Sequence, residues 1–98
     1  MSHMKPTPDD RLWKALADPS RREILELLRR QPRTTGDLCG KFGRLSRFAV
    51  MKHLKQLERV ALVTSKRDGK FRWNYLNPSP LRKLEHGWFG RYRRQESR

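Results

Sequence analysis

Residues 34–58 read TTGDLCGKFGRLSRFAVMKHLKQLE, and this stretch predicts two helices separated by a tight turn. Either Thr34 or Thr35 can cap the first helix, because a threonine hydroxyl accepts a hydrogen bond from a free N–H group of the first helical turn. Glycines keep this helix short, since glycine is unfavourable inside a helix. Residues 43–45 form the turn, which has the length and the glycine that are typical of two helices joined at a steep angle.

The second helix is predicted over residues 47–58, with Ser46 as its N-cap. Val50, Leu54 and Leu57 recur at helical spacing and therefore form one buried face. The side chains that lie away from this face are Arg47, Met51, Lys52 and Lys55.

The hydrophobic period changes after this helix from helical spacing to alternation. Residues 62–64 predict one strand, and the alternating aromatic side chains of residues 71–76 predict a second. The segment between them, residues 66–70, is basic and contains the dipeptide Asp68-Gly69, which is a strong hairpin signal. The sequence therefore predicts a basic β-hairpin directly after the second helix.

Two more helices are predicted upstream from their capping signals. Asp9 or Asp10 can begin the first helix of the chain. The next helix is either capped by Asp18, with a proline at the first helical position, or opened by a capping box of Ser20 and Glu23. With one further helix after the hairpin, the prediction is a mainly α fold with a small β-hairpin, in the order α-α-α-α-β-β-α.

The length of 98 residues predicts one domain, because domains usually have about 100–200 residues. We expect a disordered tail over residues 1–8, partly vector-derived because residues 1–4 read MSHM, and one folded domain over residues 9–95. The longest apolar run, residues 60–63, is far shorter than the roughly 20 residues of a membrane span. The single cysteine excludes a disulfide framework and a multi-cysteine zinc site.

Positive charge is concentrated in one part of the chain. The net charge is +14, and residues 41–72 contain ten Lys or Arg against two acidic residues. Such a stretch is typical of a protein that binds the phosphates of nucleic acid. An anionic membrane is the rival partner, but no long basic amphipathic helix with a bulky apolar face is present. The three His, one Cys and ten carboxylates show no nucleophile–base spacing, so we expect no enzyme.

Two helices, a tight turn and a basic hairpin together predict a winged helix-turn-helix that binds double-stranded DNA, with residues 47–58 as the recognition helix in the major groove. The contacts expected from this helix are Ser46, Arg47, Phe48, Met51, Lys52 and Lys55. The contacts expected from elsewhere, mainly to phosphates, are Thr35, Lys66, Arg67, Lys70 and Arg72. Phe48 either contacts a thymine methyl group or packs against the preceding helix, and the sequence leaves both open.

Three segments resemble the ArsR-type (ArsR/SmtB-like) bacterial repressors. Residues 15–28 (ALADPSRREILELL) resemble their opening helices, residues 45–54 (LSRFAVMKHL) their recognition helix, and residues 67–76 (RDGKFRWNYL) their wing strand. The resemblance covers roughly residues 12–92 and implies a homodimeric winged-helix regulator that represses transcription by covering a promoter. It also implies a palindromic operator and a place in the bacterial cytoplasm, associated with the nucleoid.

The metal ligands of that family are mostly missing here. Its thiolate motif places two cysteines two residues apart; Cys39 matches the first, and Lys41 stands at the second. Its other site uses Asp and His on the last helix, where Glu85 and His86 are the only candidates. A zinc site needs about four ligands, at least three of them from the protein. We therefore expect the non-metal-sensing branch, without metal or cofactor, and Cys39 as a buried small residue rather than a redox sensor.

An apolar stripe is predicted on the last helix, which Ser79 caps and Pro80 opens. Its members are Leu81, Leu84, Trp88, Phe89 and Tyr92. The first helix carries a matching stripe of Leu12, Trp13 and Leu16. The resemblance implies that these stripes pair across a two-fold axis, and aromatic side chains on so charged a protein are costly to leave in water. The alternative is that the last helix folds back on its own subunit.

A second interpretation shares the fold and the charge. It is a nucleic-acid-binding protein without sequence specificity, either architectural or ribosome-associated. Such a protein needs neither paired half-sites nor a dimer, so the last helix discriminates between the two. The sequence leaves open the operator, the regulated genes, repression or activation, and the effector that relieves DNA binding.

Overall fold

The computed structural model describes residues 7–96 and confirms a mainly helical fold with a small antiparallel sheet. Its elements in chain order are α1 (Pro8–Leu16), α2 (Pro19–Arg30), β1 (Arg33–Thr34), α3 (Thr35–Lys41), α4 (Arg47–Arg59), β2 (Val63–Asp68), β3 (Phe71–Leu76), α5 (Ser79–Leu84), a π-helical turn (Glu85–Phe89) and α6 (Gly90–Glu96). None of these helices is long and apolar enough to cross a membrane.

Helix α1 begins earlier than the sequence predicted. Thr7 is its N-cap and Pro8 its first residue, whereas the prediction placed the start at Asp9 or Asp10. The Thr7 hydroxyl accepts a hydrogen bond from the Asp10 N–H at 3.1 Å, and the Asp10 carboxylate accepts one from the Thr7 N–H at 3.0 Å. This capping box brings Thr7 and Pro8 into the domain. The rest of the predicted tail, residues 1–6, lies outside the described residues.

Helix α2 is capped by Asp18, which settles the two alternatives at this position. The Asp18 carboxylate accepts hydrogen bonds from the N–H groups of Ser20 at 2.8 Å and Arg21 at 3.1 Å, and Pro19 occupies the first helical position. Burial raises the pKa of the Asp18 carboxyl, but these two N–H donors and the nearby charges of His53 and Arg21 outweigh burial. The pKa therefore lies below its ordinary value.

We expect the Asp18→Ala variant to lose about 1 kcal/mol of unfolding free energy at pH 7, as measured by urea unfolding, because an N-cap is removed. A folded-state pKa below the unfolded one stabilises the fold above the unfolded value, and this stability is lost as the pH falls through the folded value. The difference between wild type and variant should therefore shrink in acid. Asp18→Asn is the control, because asparagine caps helices as well as aspartate but does not titrate. Equal stability of wild type and Asp18→Ala at pH 7 would contradict the assignment.

The hydrophobic core lies where α1, α2, α3, α4, the sheet and α5 meet. The predicted inner face of α4 is confirmed, since Val50, Leu54 and Leu57 are all buried. The buried core cluster comprises Leu12, Ile24, Leu25, Leu28, Leu38, Phe42, Val50, Leu54, Leu57, Leu62, Val63 and Leu84. This core holds α4 by one face and leaves the opposite face, with its basic side chains, in solvent.

The hairpin is confirmed, but its strands are longer than predicted. Strands β2 and β3 pair in register from Val63 opposite Leu76 to Asp68 opposite Phe71. Only two residues are left for the turn, and the first of them, Gly69, has a φ of 62°, a conformation that favours glycine. Residues 66–68, predicted as part of the loop, thus belong to β2.

A third strand, β1, was not predicted. It has two residues and pairs antiparallel with β3, with Arg33 opposite Asn74. The Asn74 side chain is fully buried, and its Nδ2 donates hydrogen bonds to the Arg33 carbonyl at 3.2 Å and the Thr35 hydroxyl at 3.1 Å. The Arg33 guanidinium donates to the Leu27 carbonyl and to the Asp37 carboxylate, both at 3.1 Å. These contacts attach the hairpin to α2 and α3.

The exit from α4 turns the chain sharply into the hairpin. The N–H of Leu62 donates to the Leu57 carbonyl and the N–H of Ala61 to the Glu58 carbonyl, both at 3.0 Å. This pattern closes a helix with one residue in the left-handed region, and Ala61 indeed has a φ of 62°. The turn places β2 directly beside α4, so recognition helix and hairpin become neighbours.

The last helix differs from the regular helix that was predicted. It starts at Ser79 with Pro78 as its N-cap, so Ser79 is its first residue and not its cap. Glu85–Phe89 is a π-helical turn, which shifts the following side chains relative to the predicted stripe. Within one subunit, the ring centroid of Trp13 lies 5.4 Å from that of Trp88 and 5.6 Å from that of Phe89. The last helix therefore packs on the α1 of its own chain.

Two of the predicted dimer contacts prove to be core residues of the subunit. Leu12 and Leu84 are almost completely buried within the single chain, so they are not available to a partner. Leu16 and Leu81 are partly buried against the same core. The side chains that remain exposed on this side are aromatic: Trp88, Phe89 and Tyr92.

Candidate nucleic-acid interface

The predicted helix-turn-helix is formed by α3 and α4. Thr34 rather than Thr35 caps α3, because the Thr34 hydroxyl accepts a hydrogen bond from the Asp37 N–H at 3.0 Å. Ser46 caps α4 as predicted, and its hydroxyl accepts from the Ala49 N–H at 3.1 Å. Residues 43–45 connect Phe42, the C-cap of α3, to Ser46. This geometry presents the first turn of α4 to solvent, where a recognition helix contacts base edges.

The exposed face of α4 and the hairpin enclose a concavity of about 740 Å³. We call it the reading groove. Nine of the eleven predicted DNA contacts line it, namely Thr35, Arg47, Phe48, Met51, Lys52, Lys55, Arg67, Lys70 and Arg72. The structure therefore brings together residues that lie up to 37 positions apart in the sequence, from Thr35 to Arg72.

The charge of the reading groove is almost entirely positive. Six of its lining residues are Lys or Arg and one, Glu58, is acidic. The Glu58 carboxylate is already paired with Arg72 at 2.8 Å. Among the described residues, the other five cations make no ion pair with a carboxylate. No carboxylate neutralises these five charges, although the Lys70 ammonium lies 5.6 Å from the centroid of the Phe71 ring. Such cations can neutralise phosphates, which is the chemistry that binds nucleic-acid backbones.

Two predicted contacts lie outside the groove. The Ser46 hydroxyl is used by the α4 cap. Lys66 stands opposite Trp73 in the hairpin, and alternate residues of a strand point to opposite faces, so Lys66 lies on the other face from Arg67. It lines a second concavity together with Trp73 and Tyr75.

Thr35 was predicted to contact a phosphate, but the structure gives its hydroxyl an internal partner. It is only 7% exposed, and its hydroxyl accepts the hydrogen bond from the buried Asn74 amide at 3.1 Å. Although Thr35 lines the groove, its hydroxyl is nearly buried and supports the sheet. The sequence could not distinguish Thr34 from Thr35, because two adjacent threonines have the same capping potential.

For Phe48, the structure decides between the two alternatives that the sequence left open. Its side chain is 78% exposed, whereas Phe42, at the end of α3, is 1% exposed. The alternative that Phe48 packs against α3 is therefore wrong.

Arg72 lies in the groove as predicted, but its guanidinium donates hydrogen bonds to the Glu58 carboxylate and to the Ser65 hydroxyl, the latter at 2.9 Å.

Sequence reasoning missed Arg21, a residue of α2 that supports the recognition helix from behind. Its guanidinium donates to the last carbonyls of α1, those of Ala15 at 2.8 Å and Lys14 at 3.1 Å. It also donates to the Gln56 side-chain oxygen and lies 3.4 Å from Nδ1 of His53, both on α4. One side chain thus links α1 to α4. Partners more than 30 positions away leave no local signal in a sequence.

The structure brings no metal ligands together in the part of the chain that it describes. Over residues 7–96 no group of three His, Cys, Asp or Glu side chains could hold a metal ion. Cys39 is half-buried on α3, and His86 is exposed on the last helix. Assignment to the non-metal-sensing branch stays a prediction.

A helix-turn-helix, an adjacent β-hairpin and a cationic groove between them define the class of winged-helix DNA-binding proteins. Comparison with known proteins gives the family. A family model described as a helix-turn-helix domain matches residues 16–66. The protein named "Uncharacterized HTH-type transcriptional regulator YuzN" of Bacillus subtilis (strain 168) is 45% identical over 85 residues, 81% of this chain and 92% of that protein.

Two further similarities agree with this. The transcriptional repressor SdpR of Bacillus subtilis (strain 168) is 34% identical over 70 residues, 71% of this chain and 77% of that protein. The crystal structure of the ArsR family transcriptional regulator RHA00566 matches with a TM-score of 0.82 at 28% identity, covering 94% of this chain and 100% of that chain. This chain belongs to the ArsR family of helix-turn-helix transcriptional regulators.

Family membership confirms two predictions. The chain is a sequence-specific DNA-binding transcriptional regulator, and it is not an enzyme. The alternative of a nucleic-acid-binding protein without sequence specificity finds no support among these relatives.

Proposed function

We propose that this regulator is a homodimeric repressor that binds a palindromic operator, with one recognition helix in each half-site. The observation that carries the proposal is the reading groove, with five unpaired cations between a helix and a hairpin. The similarity of this chain to the protein named transcriptional repressor SdpR supports repression as the outcome of binding. The proposed place of action is the promoter, in the bacterial cytoplasm and at the nucleoid.

Helix α4 would lie in the major groove, which is wide enough to admit one helix. Arg47 and Lys52 stand on its exposed face and are suited to the O6 and N7 acceptors of guanine. Lys70 and Arg67 on the hairpin would then lie over the neighbouring phosphates. The helix supplies sequence preference and the hairpin supplies affinity, because phosphate contacts carry no direct sequence information.

The aromatic patch formed by Trp88, Phe89 and Tyr92 supports the dimer. These side chains are 36%, 44% and 58% exposed in the single subunit, although each ring contacts another ring of the patch or Trp13. A second copy of the same helix is a self-complementary partner for such a patch. A dimer of this kind separates two recognition helices by about 34 Å, one turn of DNA, and so requires a palindrome.

The proposal is tested by two lysine variants on two kinds of DNA. An operator is first selected from random oligonucleotides with the full chain. We expect Lys52→Ala to cost about 1–3 kcal/mol of binding free energy on the selected operator and little on random DNA. Lys70→Ala should weaken both by the same factor, because a phosphate contact does not distinguish sequences.

Lys83→Ala is the matched control for these variants. It removes the same charge from the exposed surface of α5, outside the reading groove, and should leave operator binding unchanged apart from a small effect of net charge. Equal losses on operator and random DNA for Lys52→Ala would reject α4 as the sequence-reading helix.

A further inference from the structure

The reading groove contains apolar side chains that phosphate binding does not explain. Phe48 and Met51 on α4 are 78% and 49% exposed, and Phe71 on the hairpin is 51% exposed. All three line the same groove as the six cations. Isolated exposed apolar residues are common, but three of them in a groove lined by six Lys or Arg indicate a partner with an apolar component.

Phe48 holds the most informative position of the three. It is the second residue of α4, directly after Arg47, in the helical turn that contacts base edges in recognition helices. Met51 follows one turn later on the same side, and so does Lys52. Phe48 therefore stands between the cationic side chains that are suited to guanine, and not at the edge of the surface.

The chemistry of the major groove leaves one match for such a side chain. Base edges present hydrogen-bond donors and acceptors there, and the single apolar group among them is the 5-methyl group of thymine. The surrounding cations make a polyanion the complementary occupant of the groove, so an apolar protein or lipid partner is disfavoured. We propose that Phe48, extended by Met51, contacts a thymine 5-methyl group in each half-site and so selects thymine at that position.

This proposal rests on the proposed function and adds the base that the site reads. Loss of one buried methyl group should lower affinity about fourfold, and loss of one in each half-site about 15-fold. A preference of this size selects among promoter sequences without adding to the binding of random DNA.

The experiment replaces thymidine by deoxyuridine, which lacks only the methyl group, at one symmetric pair of positions of the selected operator at a time. With wild-type protein, replacement at one symmetric pair of positions should raise Kd about 15-fold. With Phe48→Ala, the thymine and uracil operators should bind equally at that pair. Phe48 is exposed and does not contribute to the core, so the variant should fold, as circular dichroism would verify.

Phe71→Ala is the matched control. It removes an exposed phenylalanine from the same groove but from the hairpin, and it should keep the difference between thymine and uracil. A wild-type protein that binds its operator tightly and is indifferent to uracil everywhere would overturn the inference and leave the proposed function intact. The inference would also be overturned if the Phe48→Ala variant kept the full difference in Kd between the thymine and uracil operators. A chain that selects no sequence at all would overturn both.

Discussion

The Trp88→Arg variant is expected to sediment as a monomer and to bind the operator no more tightly than random DNA. Trp88 lies at the centre of the aromatic patch, where its ring centroid is 5.2 Å from that of Phe89 and 4.7 Å from that of Tyr92. A guanidinium there would be buried without a counter-charge in the dimer, which is strongly unfavourable. Loss of the second half-site should remove the specific component of binding, typically about 10³-fold or more.

Sedimentation velocity and operator titration measure this result. Because Trp88 also contacts Trp13 within its own subunit, the variant must be shown to fold, by thermal unfolding. Tyr92→Arg is the second variant. Tyr92 is 58% exposed, and within residues 7–96 the one ring that its own ring contacts is that of Trp88, so the substitution leaves the subunit core untouched. Folded variants that remain dimeric and still protect a symmetric site would refute dimerisation through the patch.

Operator affinity of the wild-type protein is expected to fall about 10³–10⁵-fold between 50 and 200 mM salt, if each dimer neutralises six to ten phosphates. The physical reason is the release of counterions from DNA when lysine and arginine side chains replace them. Two reading grooves with five unpaired cations each supply ten such side chains. The slope of log Kd against log salt measures the number that is used.

Lys70→Ala should lower that slope by about one unit per site, and Lys83→Ala, outside the groove, should not change it. Measurements in potassium chloride over this range, with the operator and with random DNA, separate the two contributions. A slope that corresponds to only one or two phosphates would show that the grooves do not track the DNA backbone.

Local signals in the sequence were sufficient to predict α4 and the β-hairpin. Ser46 caps α4, and helical spacing predicts the buried face of this helix. The dipeptide Asp68-Gly69 marks the turn of the hairpin. Each of these features is decided by residues within about one or two turns of one another, where capping and periodicity act. The helices and the hairpin that line the reading groove could therefore be predicted from sequence, and contact of these residues with DNA stays a prediction.

Features that depend on distant parts of the chain were not predicted. Strand β1 is too short to show any alternation, and it exists because β3 pairs with it. Thr35, Leu12 and Leu84 are buried by contacts with distant parts of the chain. Neither the capping potential of a threonine nor the helical spacing of a leucine determines such contacts. The π-helical turn also gives no periodic signal, because it interrupts a spacing that otherwise fits a regular helix.

The short pairing of β1 with β3 has a consequence for the cost of binding DNA. A hairpin attached only through its own two strands would sample many orientations and would lose that conformational entropy on meeting the duplex. Here the buried Asn74 amide joins β3 to the start of α3, and Arg33 joins β1 to α2, so the hairpin already stands at a fixed distance from α4. The protein therefore meets the double helix with a preorganised surface, and the ordering of the hairpin is completed during folding instead of during recognition.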